Sequence, residues 1–207
     1  MADATEISSR YEFRAFAPAF GRVTANIRRH AARPEIYESV ERYLIVAGDE
    51  ARNIKLRDDR LEVKELIEAT GGLERWQPTT SAAFPVTREF VLEVLGASLK
   101  HKLELHRTRY SPDQLLDEVV KPVTLLWAAR VFKRRFRFEI DSCPTEFDEL
   151  LINGAGICSV AVESGDSAAV LAVMDKIRLN EYPNINYPRA IRCIVGLEAW
   201  PEGSYYG

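Results

Sequence analysis

The sequence predicts an α+β fold built on an antiparallel sheet, and three observations carry that expectation. Residues 129–141, A-R-V-F-K-R-R-F-R-F-E-I-D, alternate with a period of two, so successive side chains point to opposite faces of a strand. Runs of the same period are joined by short polar connections, Asp58-Asp59-Arg60 and Asn153-Gly154-Ala155, and Asn-Gly is a strong hairpin signal. Helix-period segments flank these hairpins, which points to a sheet with helices set beside it.

Taken in order, Tyr11 to Ala17 reads as a first strand, and the segment from Pro18 to about Ala32 as a helix carrying Phe20, Val23 and Ile27 on one face. Arg28, Arg29 and His30 near its end suit the helix dipole, and Pro34 stops it. Glu35 to Ala47 is a second strand, turned at Gly48-Asp49-Glu50. A hairpin follows, Ala51 to Arg57 and Arg60 to about Ile67, then a Gly71-Gly72 turn and a short strand from Leu73 to Gln77. Val86 to Leu95 reads as a helix capped by Thr87 and ended by Gly96. Lys100 to Tyr110 alternates like a strand; Ser111 and Pro112 then open a helix over Gln114 to Val120. Two strands are expected between Val123 and Asp141, with or without a break near Trp127. Thr145 to Ile152 and Gly156 to Glu163 form a further hairpin, Ser164-Gly165-Asp166 caps a helix carrying Val170, Val173, Met174, Ile177 and Arg178 on or near one face, and Tyr187 to Val195 is a last helix. The expected organisation is a tail over 1–10, one domain over 11–199 and a tail over 200–207.

The faces of these strands carry the functional signal. Lys133, Arg135 and Arg137 share one side of their strand while Phe132, Phe136 and Phe138 share the other. Cations at i, i+2 and i+4 repel unless solvent or an anion lies among them. On one strand this is more often a solvated outer face, which also discourages edge pairing. The pattern recurs, however, with Lys55 and Arg57 alternating against Ile54 and Leu56, and Lys64 against Leu61 and Val63. Strands with one apolar and one cationic face can close into a barrel with a wet interior that holds an anion.

Composition limits the alternatives. With 28 Lys+Arg against 31 Asp+Glu the net charge is −3, so binding to nucleic acid by overall positive charge is not expected. Cys143, Cys158 and Cys193 are odd in number and show no CxxC pair, which argues against a disulfide framework or a zinc site. His30, His101 and His106 show no pairing that suggests metal or triad chemistry. With neither a secretory leader nor a membrane-length apolar run in view, the expectation is a cytoplasmic protein that does not bind membranes.

Several segments in order are similar to one known family. Tyr11-Glu12-Phe13-Arg14-Ala15-Phe16 stands where that family has an N-terminal ExExK strand. Arg52 to Arg57 followed by Leu61-Glu62-Val63-Lys64 resembles its basic hairpin, and Lys133-Arg134-Arg135 its KxR strand. Glu146 to Leu150 followed by Val160-Ala161-Val162-Glu163 resembles a late acidic hairpin ending in ExE, and Asn186-Tyr187-Pro188 the turn before the last helix. The family is that of the CYTH-like triphosphate tunnel proteins, which includes class IV adenylyl cyclases, thiamine triphosphatases and inorganic triphosphatases.

The resemblance implies an eight-stranded antiparallel β-tunnel with flanking helices. It also implies a small triphosphate ligand gripped by Lys55, Arg57, Lys64, Lys133 and Arg135, and Mg or Mn held by Glu12, Glu163 and Asp148. An active member would be a divalent-metal-dependent hydrolase or cyclase; the alternative is a module that binds a phosphorylated ligand without turnover. No catalytic residue is assigned, and a homodimer is compatible with the pattern. The sequence departs from the family where the metal should sit: Arg14 replaces the second Glu of the first strand, Phe16 its Lys, and Ala161 a Glu of the late hairpin. A cation in place of an oxygen ligand repels a divalent ion.

Overall fold

The computed structural model describes residues 9–97, 99 and 103–205. Eight long strands close into an antiparallel barrel. They are β1 (Arg10–Ala17), β2 (Glu35–Val46), β3 (Arg52–Arg57), β4 (Arg60–Thr70), β5 (Leu73–Ala83), β8 (Leu126–Ile140), β9 (Cys143–Ile152) and β10 (Ala155–Ser164), in the order β1-β10-β9-β8-β2-β3-β4-β5. The seam joins β1 to β5 through Arg10 opposite Trp76, Tyr11 opposite Arg75 and Glu12 opposite Glu74. Closure removes the free edges that cationic strands would otherwise have to protect.

The barrel is inverted relative to a packed small barrel. Apolar residues of β3 and β4 face outward: Ile54, Leu56, Leu61 and Val63 are buried together with Leu44 and Val46 of β2. This first core lies under the segment after β5, where a two-stranded ribbon, β6 (Val86–Thr87) with β7 (Arg109–Tyr110), frames α2 (Arg88–Val91) and its wider final turn Leu92–Gly96. Thr87 caps α2 by accepting from the Phe90 N–H. A capping box between Ser111 and Gln114 opens α3 (Pro112–Gln114), whose continuation Leu115–Val120 adds Leu115 and Val119 to the same core.

A second core on the opposite outer wall joins Phe13, Ala15 and Ala17 of β1 and Val160 and Val162 of β10 to two helices. These are α1 (Gly21–His30), through Val23 and Ile27, and α4 (Ser167–Ile177), through Val170, Val173, Met174 and Ile177. Asp166 caps α4 by accepting from the Ala168 N–H. Asn153 and Gly154, with φ of 49° and 92°, make the left-handed turn between β9 and β10 that the Asn-Gly pair demands.

Two expectations are corrected. The region from Val123 to Asp141 holds one unbroken 15-residue strand. Twelve consecutive pairs from Glu35 opposite Arg137 to Val46 opposite Leu126 tie β8 to β2, so Trp127 lies within the ladder. Among the described residues of the alternating stretch from Lys100 to Tyr110, a ladder forms only at Arg109–Tyr110. Among its described residues, Leu103 and Leu105 both sink into the first core, and a closed barrel offers no edge for a ninth long strand. Lys100, His101 and Lys102 lie outside the described residues. Cys143 and Cys193 are buried and Cys158 half-buried, all three as free thiols. Among the described residues no helix is long and apolar enough to cross a membrane.

Candidate functional site

With apolar side chains turned outward, every second residue of the strands points into the barrel, and the interior divides into levels. One end is dry. Phe16, Ile45, Val131, Leu150, Ile152 and Ile157 pack there against Tyr187, Ala190 and Ile191 of α5 (Tyr187–Ile194), which plugs it. Arg189 and Arg192 of α5 point away from the interior and both bond Glu198, at 2.8 Å each.

Above the plug lies a polar cavity of about 160 Å³. Its walls hold seven cations, Arg14, Lys55, Arg57, Lys64, Lys133, Arg135 and Arg137, against three carboxylates, Glu12, Glu146 and Glu163. All five cations singled out in the sequence as phosphate ligands thus converge on one space. Two further carboxylates, Glu41 and Asp148, are 0 % exposed beneath it.

Glu41 is the hub of the cationic side. It receives Lys133 Nζ at 2.9 Å and Arg135 Nη2 at 3.1 Å, with Lys55 Nζ at 3.8 Å and Arg57 Nη1 at 3.9 Å. Burial alone would raise its pKa, but the charges of Lys133 and Lys55 prevail and hold it far below the usual carboxylate range. Lys133 is fully committed. Its ammonium donates to Tyr43 Oη at 2.7 Å, pairs with Glu41 and sits 3.8 Å from the Tyr187 ring centroid. Burial first, then the neighbouring Lys55 and Arg135, brings its pKa down to about 7 despite Glu41. Lys55 is brought down to about 8, again chiefly by burial.

Free donor capacity lies nearer the mouth. Arg57 Nε and Arg135 Nε are buried without a hydrogen-bond partner, Arg57 Nε standing 3.6 Å from Asp58 and Arg135 Nε 3.8 Å from the equally unbonded Oδ1 of Asp148. Lys64 lines the cavity and, among the described residues, makes no hydrogen bond or ion pair. Buried donors without acceptors cost free energy, and an anion in the cavity would satisfy them.

The acidic side is built around Arg14. Its Nε donates to Glu12 Oε1 at 2.7 Å, and its Nη1 to Asp148 Oδ2 at 3.2 Å and Ser159 Oγ at 3.1 Å, while Nη2 stands 3.5 Å from Glu146. The guanidinium lies over the Tyr187 ring at 4.6 Å, and Tyr187 Oη donates to Asp148 Oδ2 at 2.8 Å. Burial pushes Glu12 and Glu146 up, but the cations around them together hold both below their ordinary pKa, Arg14 and Lys64 for Glu12, and Arg14 with Arg135, Lys133 and Arg137 for Glu146. Of the residues expected to hold metal, Glu12 and Asp148 therefore meet on one guanidinium. Glu163 stands apart at the rim, paired with Arg10 at 3.1 Å, and burial, then the charge of Glu12, raises its pKa.

These residues do not fit a divalent ion. The carboxylates that would coordinate it are already bridged by a fixed cation, and among the described residues no cluster of three or more acids, histidines or cysteines is arranged to hold one. Sequence reasoning missed Glu41 and Ser159. Glu41 stands on the inward phase of β2, two residues before Tyr43, in a strand whose cationic neighbours are distant in sequence.

The chain matches no protein-family model. It matches no curated protein sequence. Solved structures do share its fold. A conserved hypothetical protein from Pyrococcus furiosus aligns over 86 % of this chain and 98 % of its own, at 13 % identity and a TM-score of 0.51. HpAC1 from Hippeastrum, described as an adenylyl cyclase homologue with a dominant triphosphatase activity, aligns over 93 % and 98 % at 12 % identity and a TM-score of 0.48. PH1012 from Pyrococcus horikoshii aligns over 86 % and 97 % at 12 % identity and 0.47. At these identities the likeness is one of fold. The closed eight-stranded antiparallel barrel with flanking helices is the architecture that the resemblance to CYTH-like proteins implied.

Proposed function

We propose that this protein binds a compact polyanion, a triphosphate or the triphosphate end of a larger molecule, inside the barrel, without a divalent ion and without turnover. The observation that carries this reading is the position of the Arg14 guanidinium, within hydrogen-bond reach of Glu12 and Asp148. In a phosphoryl-transfer site the metal bridges carboxylates to phosphate oxygens and neutralises developing charge. Here Arg14 neutralises the carboxylates and offers no exchangeable coordination sites.

The size of the cavity supports a phosphate chain. At about 160 Å³ it falls below the roughly 300–1,000 Å³ of pockets that enclose a whole drug-sized ligand. A wider space of about 500 Å³ shares Arg137, Pro144, Glu146 and Glu163 with it and would receive whatever the phosphates are attached to. Arg57, Lys64 and Arg135 have donors to offer; Lys55 and Lys133 contribute charge, with Lys133 held by Glu41 and Tyr43. Glu12, Asp148 and Glu163 serve as partners of arginines in this scheme.

Calorimetric titration with inorganic triphosphate, in EDTA and in Mg²⁺, paired with an assay for released phosphate, tests the proposal. Equal affinity in both buffers and no phosphate release is the expected result. Binding that requires Mg²⁺, or steady release, would overturn it in favour of a metal-dependent triphosphatase.

A further inference from the structure

A second cavity, of about 380 Å³, lies on the outside of the barrel between the C-terminal half of α1 and the wall formed by β8 and β9. Its size is within the range of small-molecule sites. The wall is aromatic: Phe136 and Phe147 are cross-strand partners with ring centroids 5.6 Å apart, and Phe138 continues the row. Ile27 of α1 closes the floor. All three phenylalanines remain half-buried, because α1 covers Phe138 and Phe147 only in part and leaves Phe136 outside the core it shares with β1 and β10.

Charge distinguishes this groove from a mere packing gap. Arg28 and Arg33 stand at its rim, exposed, and among the described residues neither makes a hydrogen bond or ion pair. The acid on the lining, Glu149, is engaged by Arg134 at 3.9 Å. An apolar slot with two unanswered guanidinium groups at its edge matches a molecule with an apolar body and an anionic end. The rings would cover the body, and the arginines, which bind carboxylates in bidentate fashion, would hold the anion.

We infer that this groove is a binding site for a small amphipathic carboxylate, an aromatic or short acyl acid, distinct from the polyanion cavity, although Ala32, Arg33 and Phe138 also line the wider space at that cavity's mouth. The row of aromatics in β8 that the sequence sets opposite its cations then has a role of its own. Inside, the strand presents charge to phosphate; outside, it presents rings to an organic acid.

The test is calorimetric titration with 2-naphthoate and with its neutral analogue 2-naphthalenemethanol, on the wild-type chain and two variants. Arg28→Gln combined with Arg33→Gln removes the anion contacts at exposed positions, and Phe147→Ser opens the aromatic wall; thermal unfolding of each variant confirms that it folds. Saturable binding of one naphthoate per chain is expected, about tenfold weaker in either variant and about tenfold weaker for the neutral analogue. Absence of saturable binding to the wild type would overturn the proposal. So would equal affinity in the folded arginine variant, or equal affinity for the alcohol. Triphosphate titration of the wild type reads the tunnel independently.

Discussion

Arg14 Nε lies 2.7 Å from Glu12 Oε1, two residues back on the same inward face of β1. The two side chains neutralise each other, and Arg14 reaches on to Asp148, which is fully buried. Both phases of the strand are in use. Phe13 and Ala15 anchor it in the outer core while the charged pair faces the cavity.

Replacing that cation by an acid reverses the electrostatics. Arg14→Glu places a new carboxylate among Glu12, Glu146 and Asp148, and should bind Mn²⁺ more tightly than the wild type does. Without metal the variant carries unpaired buried acids and should lose about 3 kcal/mol of stability, recovered as Mn²⁺ is added. Calorimetry with Mn²⁺ and thermal unfolding across a metal titration measure both. A variant as stable as the wild type and indifferent to Mn²⁺ would show that Arg14 does not stand in for a metal.

Glu41→Gln separates stability from binding. The carboxylate holds Lys133 and Arg135 directly and faces Lys55 and Arg57 at slightly longer range. Its removal leaves buried cations to repel one another, so unfolding should move down by several degrees, at roughly 2–4 °C per kcal/mol for a chain of this size. The same change frees those cations for the ligand, and triphosphate should bind about tenfold more tightly. A parallel loss of stability and affinity would mean that Glu41 organises the site and does not compete with the ligand.

The fold was legible because its signals are local. Period-two alternation marks β1, β3, β4 and β8, and Asn153-Gly154 fixes the β9–β10 hairpin. The misread stretch at Leu103 and Leu105 alternates for a different reason: both leucines pack down on the same outer core without a neighbouring strand. The cationic wall was legible through Lys55, Lys64 and Lys133, each on the inward phase of its strand. Glu41 was not, since a lone acid in an amphipathic strand looks like any surface carboxylate until pairing of β2 with β3 and β8 brings four cations to it. The direction of Arg14 was equally hidden: pairing with Glu12 along one strand face fits an exposed strand as well as a buried one.

Lys64→Gln removes a cavity cation whose charge favours the ionised forms of Glu12 and Glu163. The Lys64 side chain lacks a hydrogen-bond or ion-pair partner among the described residues, so its loss should cost no more than about 1 kcal/mol of unfolding free energy. Triphosphate affinity should fall about tenfold, measured by calorimetry at low salt, with a shallower dependence on salt. A change confined to stability would remove Lys64 from the binding site.

The lysine pKa values impose a pH dependence whose sign can be worked out. Lys133 titrates at about 7 and Lys55 at about 8 in the fold, against 10.5 for an ordinary lysine, because burial outweighs the pull of Glu41. Between those values and 10.5 the unfolded chain keeps protons that the folded chain has released. Stability therefore rises with pH from about 7 toward 10.5, and the cost of holding charged lysines in the barrel is fully present below pH 7. Ligand binding runs the other way. Triphosphate favours the protonated lysines, so affinity should fall as pH rises through 8, and binding near pH 8 should take up protons. Calorimetry in two buffers of different ionisation enthalpy counts those protons. In Lys55→Arg, whose charge does not titrate in this range, the uptake near pH 8 should shrink and the fall in affinity should flatten. A profile identical in the variant and the wild type would show that Lys55 does not carry the effect, and the contact with phosphate would then pass to Arg57, Lys64 and Arg135, the cavity cations with donors to spare.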